Sequence, residues 1–429
     1  MAVHGCHVMA KPTGSVCNID CSYCFYLEKD ALYPERKQNW RMSEETLEQY
    51  IRQHIEAQPG QQVLFAWQGG EPTIMGLSFF RRVIALCKKY GGGRQIQHAL
   101  QTNGIQLSPE WATFFAEHNF LIGLSIDGPQ HLHDTYRVTR SGAGTYQHVI
   151  DALKLLKTYS VAFNTLSVVG KHNVGYAADV YEFLVSAGSR HIQFIPLVER
   201  MSTADVALLK LVQPGESAAT LAPWSVPPWQ YGEFLNKIFD IWVRRDVGRV
   251  SVQMFDVALA AWSGQPPVLC VHSENCGHAL ALESNGDLYN CDHFVYPEHL
   301  LGNIHRQTIK TLNNSEQAIT FGRAKSETLT QECLQCEYRF ACHGGCPKHR
   351  FAISMNGQLG HNYLCAGYKH FFKHIGREMN LMRDLMAVGY SADIIMQILA
   401  REVKLQQPGS RNASCHCGSG KKYKNCCGK

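Results

Sequence analysis

Cysteine usage restricts the fold of this chain more than any other feature of its sequence. Seventeen cysteines occur among 429 residues, and all but Cys6 and Cys87 belong to four groups. We interpret those two as buried or incidental thiols. The groups are Cys17, Cys21 and Cys24; Cys270, Cys276 and Cys291; Cys333, Cys336, Cys342, Cys346 and Cys365; and Cys415, Cys417, Cys426 and Cys427.

The compartment follows from the start of the chain. MAVHGCHVMAKPTGSVC contains no apolar stretch of the kind found in secretory leader peptides. The sequence therefore predicts a cytoplasmic protein, in which thiols stay reduced and clustered cysteines favour metal ligands over disulfides. No apolar run is long enough for a membrane span. The net charge is only +5, without a dense run of basic residues, which argues against nucleic-acid binding.

Strand and helix patterns alternate through the first 200 residues, which is typical of βαβ units and a parallel sheet. Five or six such units fit an open, partial (β/α)6-type barrel better than a complete eight-fold one. In such folds, the loops after the carboxyl ends of the strands carry the chemistry. The predicted strands are 7–12, 62–68, 98–103, 120–127, 163–170 and 191–198, and the predicted helices are 43–57, 78–93 and 145–159.

The pattern changes after residue 200. The Pro-rich stretch 214–229 indicates a boundary, and helices are predicted over 229–245, 371–389 and 392–405. Residues 265–366 have little periodicity, so metal binding is expected to stabilise them. The predicted division is a barrel at 1–225, a helical connector at 226–264, a cysteine-rich domain at 265–370, closing helices at 371–405, a flexible linker at 406–414 and a tail at 415–429.

The first cysteine group contains three thiols without a fourth ligand. In CNIDCSYCFY (17–26) the spacing is C-x3-C-x2-C, and no histidine is nearby. A structural zinc site takes four protein ligands. A 4Fe–4S cluster held by three thiolates leaves one iron open for a substrate or cofactor. The spacing alone leaves a degenerate zinc site or an incidental thiol cluster as alternatives.

Several motifs at strand ends resemble those of the radical S-adenosylmethionine (SAM) enzymes. They are the three-cysteine motif with its following aromatic residue, WQGGEP (67–72), QTNG (101–104) and SIDGP (125–129) followed by Arg137. A plain β-turn is the alternative for the Gly-Gly pair. The resemblance implies a 4Fe–4S cluster held by Cys17, Cys21 and Cys24, with Tyr23 near the adenine of SAM. It also implies SAM contacts from Gly69, Gly70, Glu71, Ser125, Arg137 and Val198.

The eight cysteines of the middle region are the number that two fully ligated 4Fe–4S clusters require. A zinc ribbon is the alternative for C-x2-C-x5-C-x3-C, but it leaves the 270–291 set without a partner. The array resembles the SPASM domain, and from about residue 5 to about 375 the sequence is similar to the anaerobic sulfatase-maturating enzymes. That resemblance implies interleaved ligand sets: Cys270, Cys276, Cys291 and Cys346 for one cluster, and Cys333, Cys336, Cys342 and Cys365 for the other.

The same resemblance implies a reaction and a general base. Asp292 follows Cys291 in NCDHF and corresponds to the base of the maturases. A radical derived from SAM would take hydrogen from Cβ of a Cys or Ser in a sulfatase, and the product would be Cα-formylglycine. A flavodoxin or ferredoxin would donate electrons. The alternatives are another SPASM-type peptide- or protein-modifying enzyme, or a non-enzymatic iron–sulfur and zinc adaptor linked to export.

The tail is a separate motif. CHCGSGKKYKNCC (415–427) resembles the SEC-C zinc motif, and its four thiolates, Cys415, Cys417, Cys426 and Cys427, suit a closed tetrahedral zinc site. Sulfatase maturases need not carry it. The resemblance implies one bound zinc and contact with a secretion component, with a neutral appendage as the alternative.

Overall fold

The centre of the fold is a run of six parallel strands. The computed structural model describes residues 5–26, 29, 33, 38–202, 219–406, 412, 414–415, 417 and 419–427. Strands β1 to β6 lie side by side in sequence order, and each neighbouring pair is parallel. The α/β class and the open barrel predicted from the sequence are therefore confirmed. These strands are β1 (His7–Ala10), β2 (Gln62–Trp67), β3 (Gln95–Thr102), β4 (Phe120–Ser125), β5 (Phe163–Val169) and β6 (His191–Pro196).

Helices connect these strands and cover the outside of the sheet. Ser43 begins the first helix as predicted, because its hydroxyl accepts a hydrogen bond from Thr46 N at 3.1 Å. Three of these helices, at Pro109–Glu117, Gln130–His133 and Ala177–Ala187, were not predicted, and they are short, with nine, four and eleven residues. The helices are α1 (Glu44–Ala57), α2 (Leu77–Tyr90), α3 (Pro109–Glu117), α4 (Gln130–His133), α5 (Tyr146–Thr158) and α6 (Ala177–Ala187).

The sheet continues past the barrel into the cysteine-rich segment. β10 (Ala279–Leu282) pairs in parallel with β1. β11 (Asp287–Tyr289) and β12 (Leu300–Asn303) extend that edge as antiparallel strands. The division predicted at residue 265 thus falls within a chain whose two parts share one sheet. These strands have only three or four residues, too few for a periodic pattern to reveal them.

The remaining strands are short. β7 (Arg200–Ser202) and β8 (Ala219–Leu221) form a two-stranded ribbon after β6. β9 (Ser251–Val252) closes the other edge of the large sheet beside β6. A second ribbon, β13 (Ala352–Ile353) with β14 (Leu359–His361), lies in the cysteine-rich segment.

Two long helices pack closely at a pair of glycines. α7 (Pro228–Arg245) contacts α13 (Cys365–Ala387). A Cβ on Gly367 would lie 2.0 Å from the Pro228 carbonyl oxygen, and one on Gly232 would lie 2.5 Å from the Gly367 oxygen. The helix predicted over 371–389 therefore begins earlier, at Cys365, and this contact fixes the position of that cysteine.

The other helices are short or peripheral. They are α8 (Gln253–Trp262), α9 (Ile309–Asn313), α10 (Glu316–Glu327), α11 (Gln331–Leu334), α12 (Arg339–Cys342) and α14 (Ile394–Gln406). Most of the linker predicted at 406–414, and residues 214–218 of the boundary stretch, lie outside the described residues. Within the described part of the chain, no helix has the length and apolar character needed to cross a bilayer.

Candidate active site and metal centres

The first cysteine group lies on the loop that follows β1, at the carboxyl ends of the parallel strands. Its three cysteines pack with the buried side chains of Ile19 and Leu197. Burial raises the pKa of Cys17 to about 11 and that of Cys21 to about 12. A metal that binds these sulfurs must therefore displace their protons.

The third cysteine of this loop faces the cysteine-rich segment. Cys24 also packs against a second apolar cluster, which contains Tyr289 and Val295 of the cysteine-rich segment.

The glycines of WQGGEP support the cysteine loop directly. Gly70 N donates to the Gly14 carbonyl at 2.8 Å, and Glu71 N donates to the Val16 carbonyl at 3.0 Å. A Cβ on Gly70 would lie 2.0 Å from Val16 O, and Gly69 has a φ of +125°. The Gly-Gly pair is therefore required by the approach of two backbone segments, a role that the sequence analysis did not assign to it.

Glu71 joins the ends of β2 and β3. Its buried carboxylate accepts hydrogen bonds from Thr73 N at 3.0 Å, Thr102 Oγ1 at 2.8 Å and Asn103 N at 2.8 Å. Burial raises the pKa of Glu71, and the hydrogen bonds oppose that shift. Asn103 in turn directs its amide nitrogen at Cys17 Sγ, 3.7 Å away. The side chain of Glu71 thus orders the mouth of the barrel around the cysteine loop.

Two predicted SAM-contacting residues, Tyr23 and Arg137, meet beside the cysteines. The Tyr23 hydroxyl donates to Asp127 Oδ2 at 2.7 Å and accepts from Arg137 Nη1 at 2.8 Å. Ser125 is the buried last residue of β4. Arg137 Nε and Trp224 Nε1 are buried without a hydrogen-bond partner among the described residues. Buried donors that lack partners fit a site for a polar cofactor.

Val198 differs from the other predicted SAM contacts. Its side chain is 2% exposed and belongs to the main hydrophobic core. The structure therefore gives this side chain a packing role after β6, and its predicted SAM contact stays a prediction.

Asp292 is enclosed where the cysteine-rich segment meets the barrel. Its Oδ2 lies 3.9 Å from Lys11 Nζ, and its Oδ1 accepts from the Cys291 thiol at 3.5 Å. Burial favours the neutral acid, but the charges of His293 and Lys11 outweigh it and lower the pKa of Asp292. The carboxylate thus lies between Lys11, at the mouth of the barrel, and Cys291, in the cysteine-rich segment.

Lys11 was missed by the sequence analysis. It directly follows β1 and is 1% exposed. Its ammonium donates to Gln68 Oε1 at 2.7 Å, and Gln68 Nε2 donates to Gln101 Oε1 at 2.5 Å. A lysine placed directly after a buried parallel strand was the available signal, since such positions face the mouth of the sheet.

The eight middle cysteines separate into two spatial sets. Cys291 interacts electrostatically with Cys346 and Cys270, and Cys346 with Cys276 and Cys270. Cys365 interacts with Cys342, Cys333 and Cys336. These interactions agree with the interleaved ligand sets that the resemblance implied, and the pairing itself stays a prediction.

Two polar side chains beside these sets were also missed. Lys325 is 1% exposed, and its ammonium donates to the carbonyls of Cys270 at 2.6 Å and Val271 at 3.0 Å. His361 Nδ1 lies 3.7 Å from Cys333 Sγ. Both contacts join residues at least 28 positions apart in sequence, so local patterns contain no signal for them.

The four tail cysteines form a compact group. Their sulfurs lie within 4.8 Å of one another, with Cys417 Sγ 3.3 Å from Cys415 Sγ and 3.4 Å from Cys426 Sγ. A tetrahedral zinc with Zn–S bonds of about 2.3 Å places its sulfurs about 3.8 Å apart. The donor set and its spacing therefore fit a single zinc ion.

Three family models match the chain. The radical SAM superfamily matches residues 12–184, an iron–sulfur cluster-binding domain matches residues 270–337, and the SEC-C motif matches residues 411–429. The chain therefore carries the domains for SAM and for iron–sulfur clusters.

Relatives extend the match over nearly the whole chain. A serine-type anaerobic sulfatase-maturating enzyme of Bacteroides thetaiotaomicron is 44% identical over 93% of this chain and 97% of its own length. A cysteine-type enzyme of Clostridium novyi is 32% identical over 85% of this chain and 94% of its length. A solved structure of native anSMEcpe with bound AdoMet and Cp18Cys peptide is 30% identical, with a TM-score of 0.77, over 89% of this chain and 99% of that one. The chain belongs to the anaerobic sulfatase-maturating enzymes, a family of radical SAM proteins.

Proposed function

We propose that this chain oxidises a serine or cysteine side chain of a sulfatase polypeptide to Cα-formylglycine. The observation that carries the proposal is the position of Asp292. It is enclosed between Lys11, at the mouth of the barrel, and Cys291, in the cysteine-rich segment. A base at this junction is adjacent to both the predicted SAM site and the predicted auxiliary cluster. Membership of the maturase family supports the same reaction.

The cofactor assignments follow the grouping of the side chains. Cys17, Cys21 and Cys24 would hold the cluster that binds SAM. Tyr23, Ser125 and Arg137 would contact SAM, as would the backbone of Gly69, Gly70 and Glu71. The two sets of four middle cysteines would hold one 4Fe–4S cluster each, which makes three clusters in total, and Cys415, Cys417, Cys426 and Cys427 would hold one zinc.

The chemistry divides between the cofactors and the chain. When bound, SAM and the clusters supply one-electron chemistry, which removes a hydrogen atom from Cβ of the substrate and accepts the electron that remains. Asp292 accepts the proton from the substrate hydroxyl or thiol, so that a C=O or C=S bond forms. The side chain thus loses two hydrogens. A serine gives the aldehyde directly, whereas a cysteine gives a thioaldehyde that water converts to the aldehyde with release of hydrogen sulfide.

We infer that the target residue is a serine. Identity to the serine-type enzyme is 44%, against 32% for the cysteine-type enzyme. The two substrates demand the same hydrogen removal and the same base, so the inference concerns substrate selection only.

Other proposed partners are an electron donor and a secretion component. A flavodoxin or ferredoxin would supply the electron that starts each turnover. The zinc tail would contact a component of the export apparatus, so that a cytoplasmic enzyme meets the sulfatase before export. The SEC-C match at residues 411–429 supports the second partner.

The proposal is tested with the reconstituted protein, SAM and a chemical reductant under anaerobic conditions. Two sulfatase-derived peptides are supplied, identical except for serine or cysteine at the target, and a third with alanine is the control. Mass spectrometry should detect the aldehyde from the serine peptide, in larger amount than from the cysteine peptide, and none from alanine. A preference for cysteine would contradict the serine assignment, and the absence of aldehyde from both would contradict the function.

A further inference from the structure

We propose that Lys11 is a positioning residue for the proposed base, orienting the Asp292 carboxylate toward the substrate through a fixed ammonium between the two cysteine-bearing loops. This inference rests on the proposed function, because it assigns a purpose to a contact of Asp292.

The environment of the ammonium restricts its motion. Lys11 Nζ donates to Gln68 Oε1 at 2.7 Å and lies 4.5 Å from the centre of the Tyr26 ring. Gln68 is itself fixed, because its backbone N–H donates to the Ala10 carbonyl at 2.9 Å and its side chain donates to Gln101. Besides Gln68 and Tyr26, the third neighbour of the Lys11 ammonium is Asp292 Oδ2, which lies 3.9 Å away. A flexible lysine is thus held in one position by neighbours on β1, β2 and β3.

The charges around Lys11 come from both parts of the molecule. Asp292, Glu283, Cys291 and Cys24 interact electrostatically with the ammonium. Cys24 belongs to the barrel loop, and the others belong to the cysteine-rich segment. A buried cation at this junction therefore compensates anionic groups on both sides, and such compensation is necessary where water is excluded.

Cluster binding increases the importance of Lys11 for Asp292. In the structure, Oδ1 accepts from the Cys291 thiol. A cysteine that ligates iron is a thiolate and has no proton to donate. The ammonium then remains on one side of the carboxylate to hold its orientation, together with the charges of His293 and Lys348, which also act on Asp292. Removing Lys11 takes away the ammonium 3.9 Å from Asp292 Oδ2, and the carboxylate is then free to rotate.

The test is a double-mutant cycle in the reconstituted enzyme with the serine peptide. The variants are Lys11→Met, Asp292→Asn and both together, and 5′-deoxyadenosine and aldehyde are measured in the same reaction. Lys11→Met should keep 5′-deoxyadenosine formation near the wild-type amount and lower aldehyde by about tenfold or more. The double variant should make no less aldehyde than Asp292→Asn alone, because two residues that act as one unit are not additive.

Thermal unfolding of the wild type and these three variants gives a readout that does not depend on turnover. Lys11→Met should lower the midpoint because it leaves a charge unpaired. Adding Asp292→Asn should raise the midpoint again because it removes that charge. Lys157→Met is the control, since Lys157 donates to the Ala187 carbonyl on the outer helical layer and should change neither product.

Several outcomes would overturn the proposal. Equal loss of 5′-deoxyadenosine and aldehyde in Lys11→Met would assign Lys11 to the cofactor site. Lys11 does not act through Asp292 if the aldehyde losses of the two single variants multiply in the double variant. The same conclusion follows if the unfolding midpoint of the double variant lies below that of Lys11→Met. If Asp292→Asn keeps wild-type aldehyde, the base role and this inference both fail while the reaction stands. A wild-type enzyme without aldehyde contradicts the reaction itself, and the unfolding cycle still decides whether the two residues are coupled.

Discussion

At the scale of single residues, the mouth of the barrel depends on polar side chains that are buried and hydrogen-bonded to one another. Glu71, which follows β2, accepts hydrogen bonds from Thr102 and Asn103 at the end of β3. Lys11 lies between Gln68 and Asp292. Burying such a group without a partner costs free energy, whereas a paired group can be stabilising. Each of these side chains therefore restricts the loop next to it. The result is a cysteine loop whose position is set before any cofactor binds.

The cluster assignment can be tested at Cys24. Cys24→Ala removes one of three proposed ligands, and two thiolates cannot retain a cluster that already has an open iron. We expect 5′-deoxyadenosine to be undetectable and the iron content to fall by about one third, because the other two proposed clusters keep their ligands. Iron and sulfide analysis after anaerobic reconstitution measures the second effect. Cys87→Ala is the control, since Cys87 is a buried thiol outside all the groups.

An unchanged iron content in Cys24→Ala would remove this residue from the ligand set. Loss of nearly all the iron would contradict three separate clusters.

Gly70 gives a second test at this scale. In Gly70→Ala the new Cβ meets the Val16 carbonyl, a backbone atom that cannot move alone. We expect displacement of the cysteine loop, a loss of stability of about 1–3 kcal/mol and defective binding of the first cluster. Gly376→Ala is the matched control, because Gly376 lies in helix α13 and a Cβ on it would meet nothing within 4 Å. Denaturant unfolding and cluster absorbance compare the two, and equal behaviour would contradict the close-packing account.

The sequence identified candidate site residues where a motif of closely spaced residues is typical of one kind of ligand. C-x3-C-x2-C and the strand-end motifs marked Cys17, Ser125 and Arg137 because their ligand is bound by local loops. Lys11 and Lys325 were not found, since their partners Asp292 and Cys270 are distant in sequence and meet only in the fold. The close approach of Gly70 to the Val16 carbonyl was not found either, and it adds a packing requirement to the predicted SAM contact of this glycine.

At the scale of elements, the joining of β10 to β1 determines the geometry of the site. The parallel pairing brings Ala279–Leu282 alongside His7–Ala10, so both strands end at the same edge of the sheet. The turn after β11 then presents Cys291 and Asp292 next to Lys11. A helix performs the same task for the second set, because α13 begins at Cys365 and is fixed against α7.

The tail is expected to be separable from this arrangement. The described tail residues contact one another through Ser414 paired with Lys422 and through the four sulfurs. Deleting residues 410–429 should remove the bound zinc and leave peptide oxidation within about twofold of the wild type, because a closed structural zinc site takes no part in chemistry. Zinc analysis and the peptide assay on both proteins measure this. A truncated enzyme with its clusters intact but no peptide oxidation would contradict the separation.

Longer elements were easier to predict than short ones. The helix at 44–57 and the strand at 62–67 have enough residues for a clear period and a recognisable cap. β10, β11 and β12 have three or four residues, and their stability comes from pairing with the barrel. The start of α13 was missed because Cys365 was assigned only as a ligand.

At the scale of the whole molecule, one sheet unites the predicted radical site and the first auxiliary set. A substrate side chain at their junction can lose a hydrogen atom on the barrel side, and a proton and an electron on the other. This division requires a fixed distance between the two parts, which a flexible connection would not maintain. The shared ten-stranded sheet provides that fixed connection.

The central claim is that this enzyme removes hydrogen from the target Cβ and completes the oxidation there. The most direct measurement uses a sulfatase-derived peptide whose target serine carries two deuterium atoms at Cβ. After anaerobic turnover, mass spectrometry reads both the 5′-deoxyadenosine and the peptide. The account predicts deuterium in the 5′-deoxyadenosine, together with an aldehyde that retains one deuterium. Unlabelled 5′-deoxyadenosine formed alongside an unchanged peptide would contradict it.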